Sequence, residues 1–214
     1  MAAADAEPRD LSGQVALVTG GSSGIGRAVC LAMASRGAAV VAVGTSLERL
    51  DEVASQADGI TGVQASLADV EGCSRAIRQA RTLGPVTILV HAAALGGYLN
   101  RPVWEETFRA WRATMALNLD AAFELIRLAA PDMMKVGWGR VVMIGSTAGD
   151  VGAPAMAAYS ASKAGLLALV RSAAYDLGPY GVTVNAVVRG WVRGTAMAER
   201  DAESEASSKA RQVC

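Results

Sequence analysis

Histidine and cysteine are scarce in this chain, and their scarcity excludes several kinds of active site. Among 214 residues there is one histidine, His91, and there are three cysteines, Cys30, Cys73 and Cys214. A single histidine excludes metal sites built from several histidines and leaves little room for a Ser-His-Asp triad. The cysteines fit no metal-ligand or redox spacing, and we interpret Cys30 as a small buried hydrophobe. The sequence therefore predicts no metal site.

An excess of charge of either sign is also absent. The chain has 20 basic and 20 acidic residues and a formal net charge of zero, which gives no electrostatic reason to bind nucleic acid or an anionic membrane. No apolar run reaches the roughly 18 residues of a membrane span, and the Ala-rich residues 1–10 lack the apolar core of a signal peptide. We therefore expect a cytoplasmic protein with neither nucleic-acid nor membrane partners.

The pattern that is present is an alternation of short β-branched runs with longer stretches of helical periodicity. Hydrophobic residues make up 52% and charged residues 19% of the chain, as is typical of a globular domain. The alternation predicts an α/β fold, a doubly wound parallel sheet with helices on both faces. We expect this domain at residues 13–198, between a disordered segment at 1–12 and a polar tail at 199–214. Strands are predicted at 15–19, 39–43, 62–65, 86–91, 140–144 and 182–188, and helices at 24–35, 47–56, 71–83, 103–134 and 159–177.

A glycine-rich loop joins the first predicted strand to the first predicted helix. It reads Thr-Gly-Gly-Ser-Ser-Gly-Ile-Gly over residues 19–26. Glycines let the backbone approach a phosphate closely, and the start of a helix supplies free N–H groups and the positive end of the helix dipole. A turn without a ligand is the alternative, but the order strand, loop, helix favours a dinucleotide. The predicted cofactor contacts here are Gly20, Ser22, Ser23, Gly24, Ile25 and Gly26.

The end of the second predicted strand bears on the choice of nucleotide. An acidic residue there would hydrogen-bond the ribose hydroxyls of NAD, but Thr45 and Ser46 stand at this point and the first acid is Glu48. Without that carboxylate a 2′-phosphate is not repelled, although no arginine stands at the strand end to attract it. We therefore predict cofactor contacts from Thr45 and Ser46 and a preference for NADP(H) over NAD(H).

Four polar residues are candidates for catalysis. Tyr159 and Lys163 are four residues apart in a predicted helix, so they lie on one face. The pKa of a free tyrosine is about 10, and a fixed cation beside it stabilises the phenolate and brings the group into a usable range. Ser146 follows the fifth predicted strand, and Asn118 is a polar residue inside an apolar helical stretch. Taken singly, each residue also has an ordinary structural explanation.

Taken together, the glycine loop, Asn118, Ser146 and the Tyr159-x-x-x-Lys163 spacing resemble the short-chain dehydrogenase/reductase family over residues 13–191. Within that family the chain is similar to the single-domain branch that includes 3-oxoacyl carrier-protein reductases. The resemblance implies a Rossmann fold and hydride transfer between NADP(H) or NAD(H) and a small carbonyl or secondary-alcohol substrate. It also implies a homo-oligomer, because the family's long helices form dimer and tetramer interfaces.

The resemblance also implies a role for each candidate residue. Tyr159 exchanges a proton with the substrate oxygen, and Lys163 lowers the Tyr159 pKa and holds the nicotinamide ribose. Ser146 hydrogen-bonds the substrate oxygen, where negative charge develops. Asn118 holds a water molecule that links Lys163 to solvent. Besides Tyr159 and Lys163, the implied cofactor contacts outside the glycine loop are Ser66, Leu67, Ala92, Ala93 and Gly190.

Several positions depart from the family pattern. His91 opens a His-Ala-Ala-Ala stretch where the family usually has Asn-Asn-Ala-Gly, and we interpret it as a structural substitute. Ser66 replaces an aspartate near adenine, Arg189 replaces the proline before Gly190, and Thr195 comes one position late. The final strand and the helical lid over the substrate are expected to be missing, which would expose the edge of the sixth strand. The alternative function is therefore a truncated remnant that binds a cofactor or a partner with little or no turnover.

Overall fold

A six-stranded parallel sheet forms the centre of the molecule. The computed structural model describes residues 10–96, 101–190 and 192. The strand order is β3-β2-β1-β4-β5-β6, and every neighbouring pair is parallel. This confirms the predicted doubly wound fold. The strands are β1 (Val15–Thr19), β2 (Ala39–Gly44), β3 (Ile60–Gln64), β4 (Val86–His91), β5 (Gly139–Ser146) and β6 (Val182–Arg189).

Seven α-helices connect or follow the strands in the described part of the chain. They are α1 (Gly24–Ser35), α2 (Leu47–Ala54), α3 (Val70–Arg81), α4 (Phe108–Met115), α5 (Ala121–Val136), α6 (Ala148–Val151) and α7 (Ala157–Leu177). A π-helical turn at Ala116–Asp120 joins α4 to α5, and a 3₁₀ turn at Gly178–Tyr180 follows α7.

Helices cover both faces of the sheet because the central strands are apolar on both faces. On one face α1 and α2 pack on the sheet, with Val18, Cys30 and Leu50 in the core. On the other face α3, α5 and α7 build a larger core that includes Leu17 and Leu125. Burial raises the pKa of the Cys30 thiol to about 12, so Cys30 is an inert core residue, as the sequence indicated.

The strand order reverses between β1 and β4, which are neighbours in the sheet although they are distant in the chain. Their last residues, Thr19 and His91, stand opposite each other in the register. In doubly wound sheets ligands bind in the crevice outside the carboxyl ends of the strands at such a switch point. The fold therefore opens its crevice directly above the glycine-rich loop that follows Thr19.

The predicted single helix at 103–134 is wrong. The structure has a non-helical stretch before α4, which starts at Phe108 after the cap residue Thr107, whose Oγ1 accepts a hydrogen bond from the Ala110 N–H at 3.2 Å. The helix is then interrupted by the π-helical turn around Asn118, a widening typical of functional sites. The other predicted element boundaries differ from the structure by at most two residues, and the short helix α6 was not predicted.

The outer side of β6 pairs with no strand within residues 10–96, 101–190 and 192. Val187 and Val188 near its end are 53% and 42% exposed. None of the described helices is long and apolar enough to cross a membrane. The positions 1–9, Thr195 and the predicted tail at 199–214 lie outside the described residues.

Candidate active site

Tyr159 and Lys163 lie in the first half of α7, and both are buried although their side chains carry polar groups. Tyr159 is 4% exposed and Lys163 is 2% exposed. The Lys163 Nζ lies 5.8 Å from the centroid of the Tyr159 ring and donates a hydrogen bond of 2.7 Å to the Ile144 carbonyl on β5. The structure thus brings the predicted pair together and fixes its ammonium at the carboxyl end of the sheet.

The ammonium of Lys163 is in an environment that disfavours its charge. Burial, and after it the positive charge of Arg189, lower the pKa of Lys163 to about 8. Buried cations are costly unless they are hydrogen-bonded, and here the Ile144 carbonyl supplies one acceptor. Lys163 therefore changes charge within the pH range in which most enzymes are assayed.

Ser146 is the last residue of β5, two residues beyond the carbonyl that holds Lys163. It is buried, and its Oγ accepts a hydrogen bond of 3.2 Å from the Ala148 N–H at the start of α6. In the register Ser146 stands opposite Arg189 of β6, whose carbonyl accepts from the Thr147 N–H at 3.1 Å. Ser146 and Arg189 therefore end neighbouring strands at the crevice.

Asn118 lies in the π-helical turn and is fully buried. Its Oδ1 accepts from the Leu95 N–H at 2.8 Å, and its Nδ2 donates to the Leu95 carbonyl at 3.0 Å and to the Ser162 Oγ at 3.0 Å. Ser162 in turn donates to the Tyr159 carbonyl at 2.7 Å. The side chain of Asn118 thus ties the segment after β4 to the helix that carries Tyr159 and Lys163.

Thr19 and His91 close the crevice between β1 and β4, and neither was predicted to serve the site. The Thr19 Oγ1 lies 2.9 Å from the His91 Nδ1 and accepts hydrogen bonds of 3.1 Å from the N–H groups of Ala92 and Ala93. These bonds fix the backbone of two predicted cofactor contacts. For Thr19, the sequence offered one indication: it is a polar residue at the end of an otherwise apolar strand, directly before the glycine loop.

The glycine loop forms a cradle that side chains would fill. Gly20 has φ +66°, and a Cβ placed on it would lie 2.8 Å from the Ala93 nitrogen. A Cβ on Gly26 would collide with the Gly20 carbonyl oxygen. Ser23 precedes α1 without capping it through its side chain, so the first N–H groups of the helix remain available to a phosphate. The cradle fits a pyrophosphate.

The remaining predicted contacts follow the carboxyl ends of β2, β3 and β6. Thr45 is exposed after β2, and Ser46 caps α2 by accepting from the Arg49 N–H at 3.4 Å. Ser66 is exposed and Leu67 is buried beyond β3, and Gly190 is exposed beyond β6. In the described part of the chain, no group of three His, Cys, Asp or Glu side chains is placed to hold a metal ion.

The chain is similar to known proteins over most of its length. The family model described as short chain dehydrogenase matches residues 14–206. The chain is 35% identical to 3-oxoacyl-[acyl-carrier-protein] reductase FabG of Rickettsia bellii (strain RML369-C) over 86% of this chain and 75% of that protein. It is 33% identical to the 2-dehydro-3-deoxy-L-rhamnonate dehydrogenase (NAD(+)) of Sphingomonas sp. (strain SKA58), over 82% of this chain and 71% of that protein.

A solved structure of a short chain dehydrogenase/reductase family protein superposes with a TM-score of 0.84 at 33% identity, over 89% of this chain and 80% of that chain. Sequence and fold thus point to the same group of proteins.

Proposed function

Because this chain belongs to the short-chain dehydrogenase/reductase family, we propose that it transfers a hydride between NADP(H) or NAD(H) and a carbonyl or secondary-alcohol substrate, with Tyr159 as general acid and base. The observation that carries the proposal is the buried ammonium of Lys163, held on the Ile144 carbonyl beside the Tyr159 ring. A fixed cation at this place stabilises the phenolate and so allows tyrosine to exchange a proton near neutral pH.

The residues present fit a dinucleotide. The glycine cradle and the start of α1 would hold the pyrophosphate, Thr45 and Ser46 the adenosine ribose, and Lys163 the nicotinamide ribose. When bound, the nicotinamide supplies or accepts the hydride, which no side chain of the protein can do.

The protein's own residues would handle the proton and the developing charge. In a reduction Tyr159 donates its proton to the substrate oxygen, and in the reverse oxidation it takes that proton back. The Ser146 hydroxyl donates a hydrogen bond to the same oxygen, where negative charge develops. Asn118, through Leu95 and Ser162, holds the surrounding backbone in place. The remaining two N–H groups of the Lys163 ammonium are the donors for the ribose and for a water molecule.

The preference for NADP(H) rests on the absence of a carboxylate directly after β2, where Thr45 and Ser46 present hydroxyl groups. The name of one similar protein includes NAD(+). The nucleotide preference of this chain must therefore be measured on the chain itself. The names of the two similar proteins, a reductase and a dehydrogenase, support the reaction class.

The family resemblance also supports a homo-oligomer of this chain. Helices α4, α5 and α7 each expose an aromatic side chain, Phe108, Phe123 and Tyr175, at 77%, 52% and 84%. These helices lie within the long helical stretches that the family resemblance assigns to the interfaces between subunits.

The test of the proposed function is the variant Tyr159→Phe, which removes one oxygen and keeps the ring. We expect carbonyl reduction to fall by about 10²–10⁴-fold, the usual contribution of a general acid, while the dissociation constant of the nicotinamide cofactor changes little. Steady-state kinetics on a ketone panel and fluorescence titration of the reduced cofactor measure the two effects.

The matched control is Tyr175→Phe, since Tyr175 is exposed on the same helix and should be silent in both assays. Turnover retained in Tyr159→Phe would overturn the catalytic assignment. If the unmutated chain binds the cofactor but turns over no ketone or alcohol of the panel, the alternative of a cofactor-binding remnant is supported instead.

A further inference from the structure

His91 is a fully buried imidazole that the proposed reaction does not use. It ends β4 with 0% exposure. Burial, and after it the positive charge of Lys163, lower the pKa of His91 to about 3. The ring is therefore neutral at any pH at which the protein would work, and His91 is excluded as a proton carrier at neutral pH.

The hydrogen bonds of Thr19 determine which ring nitrogen carries the proton. The Thr19 Oγ1 accepts from two backbone N–H groups, those of Ala92 and Ala93, which occupy its acceptor positions. Its hydroxyl hydrogen is left to donate to the His91 Nδ1 at 2.9 Å. A neutral imidazole has one donor and one acceptor nitrogen, so His91 carries its hydrogen on Nε2.

Within the described residues, the buried Nε2–H group of His91 has no hydrogen-bond partner. The carbonyl of Leu117, in the π-helical turn, faces the ring and favours its protonated form. Lys163 is near as well, because its ammonium is held on the Ile144 carbonyl, and Ile144 follows Met143, which stands opposite His91 in the register. Buried donors are rarely left unpaired, and a buried water molecule with about three polar partners is the common solution. The polar groups here are the Nε2–H group, the Leu117 carbonyl and the Lys163 ammonium.

We propose that His91 is a positioning residue whose Nε2–H binds one buried water molecule, and that this water accepts a hydrogen bond from the Lys163 ammonium. The water accepts from Nε2–H and from Nζ–H and donates to the Leu117 carbonyl, so all three groups are satisfied. The consequence for activity rests on the proposed function, because it requires Lys163 to assist Tyr159. The water site itself does not.

The role of this water is to keep Lys163 charged. A hydrogen bond accepted from the ammonium favours its charged form and opposes the burial that lowers the Lys163 pKa. The Asn118 side chain cannot replace it, because both its nitrogen and its oxygen are bonded to Leu95, and the nitrogen also to Ser162.

Other ionisable groups lie on α7 and on the elements that contact it. Arg189 at the end of β6 acts on the Lys163 pKa, and Tyr159 lies one turn earlier on α7. The others are Arg171, Tyr175 and Asp176 further along α7, Asp150 of α6, Asp120 of the π-helical turn, Arg109 and Arg112 of α4, Glu124, Arg127, Asp132 and Lys135 of α5, Arg140 of β5 and Tyr180 of the 3₁₀ turn.

The first test uses the fact that the chain has a single histidine, so ¹⁵N-labelled histidine gives one pair of ring signals in the full-length protein. We expect the Nε2–H tautomer, no titration between pH 5 and 9 and magnetisation transfer from water to the Nε2 proton. An Nδ1–H tautomer, or an Nε2 proton without contact to water, would overturn the proposal. This test needs no activity, so it separates failure of the water site from failure of the proposed function.

The second test compares two replacements. His91→Asn introduces the family's usual residue and keeps an N–H donor, whereas His91→Leu removes the donor. For the leucine variant we expect the alkaline limb of the kcat profile to move down by about one pH unit, since the charged lysine loses an acceptor. The asparagine variant should keep the limb of the unmutated protein.

The control is Thr87→Val. Thr87 is a buried residue that also bonds β1 to β4, with its Oγ1 3.3 Å from the Val15 nitrogen, but at the opposite end of the strands. The Thr87→Val substitution should lower thermal stability without moving the alkaline limb of the kcat profile. If the His91→Leu protein folds and the alkaline limb of its kcat profile does not move, His91 has only a structural role and the proposal is overturned. If that variant does not fold, the histidine spectra of the unmutated chain decide.

Discussion

Lys163 is an uncommon residue because a fully buried ammonium loses most of its hydration. Its ammonium donates to the Ile144 carbonyl at 2.7 Å, and the positive charge of Arg189 on β6 opposes the charge of the ammonium. Where the family usually has a proline, this chain therefore adds a second cation to the proposed site. The result is a lysine whose charge responds to small changes in its surroundings.

Replacement of Arg189 is expected to raise the Lys163 pKa. Two like charges disfavour each other, so removing the guanidinium in Arg189→Gln favours the charged ammonium. Activity that needs charged Lys163 is lost as the pH rises through the Lys163 pKa, near 8 in the unmutated protein. The alkaline limb of the kcat profile should therefore move to higher pH in the variant, by up to about one unit.

The control for this measurement is Arg140→Gln. Arg140 lies 4.5 Å over the Trp138 ring near the start of β5, so the same loss of charge occurs far from the carboxyl end of the sheet. A limb that stays in place, or moves to lower pH, in Arg189→Gln would show that the charge of Arg189 does not act on Lys163.

Among the secondary-structure elements, the π-helical turn that joins α4 to α5 has the clearest function. The π-helical turn places Asn118 toward the segment after β4, where it pairs with both backbone groups of Leu95. The turn thus connects three elements of the proposed site: the end of β4, the turn itself and α7.

Asn118→Ala is expected to destabilise the protein strongly. It removes one buried and two partly buried hydrogen bonds and leaves the Leu95 N–H and carbonyl without this partner. The free energy of unfolding should fall by about 2–4 kcal/mol, because each unsatisfied buried group costs about 1–3 kcal/mol. Urea denaturation measures this loss.

The comparison for this variant is Thr107→Ala, which removes the cap of α4 and should cost about 1 kcal/mol. The Tyr159 environment should change only in Asn118→Ala, since Ser162 links the two residues. Equal losses in both variants would contradict the connecting role of Asn118.

The sequence predicted elements well where local signals were strong. β1, α1 and β4 begin and end as predicted, because β-branched runs and a glycine loop mark them. The prediction of one continuous helix at 103–134 failed at two places. The residues before Phe108 are not helical, and the π-helical turn around Asn118 cannot be distinguished from a regular helix in the sequence, because the apolar helical period continues through it. The pattern around Tyr159 and Lys163 revealed the candidate site, but the bond between Thr19 and His91 joins residues 72 positions apart and leaves no local pattern.

At the scale of the whole molecule, the dinucleotide is expected to bridge both halves of the sheet and so to stabilise the folded chain. A ligand that binds only the native state stabilises it by about 2.7 kcal/mol at a concentration of 100 times Kd. At equal concentration NADPH should therefore raise Tm more than NADH. Thr45→Asp, which restores the missing carboxylate after β2, should reverse that order.

Thr82→Asp is the matched control. Thr82 is exposed just before β4, at the opposite edge of the sheet, so the same added charge should leave the order of the two nucleotides unchanged. A larger Tm shift with NADH in the unmutated chain would contradict the proposed preference.

The position of β1 in the middle of the sheet also has a consequence for the order of folding. β2 and β3 leave the ribosome soon after β1, but the other side of β1 must wait for β4, which ends at His91. At synthesis rates of about 5–20 residues per second this wait lasts roughly 2–10 seconds after β2 has emerged. During that time the glycine loop exists without the strand that forms the second wall of the crevice. A nascent chain should therefore gain affinity for the nucleotide in one step, when β4 docks, and the cofactor cannot guide the folding of the first half.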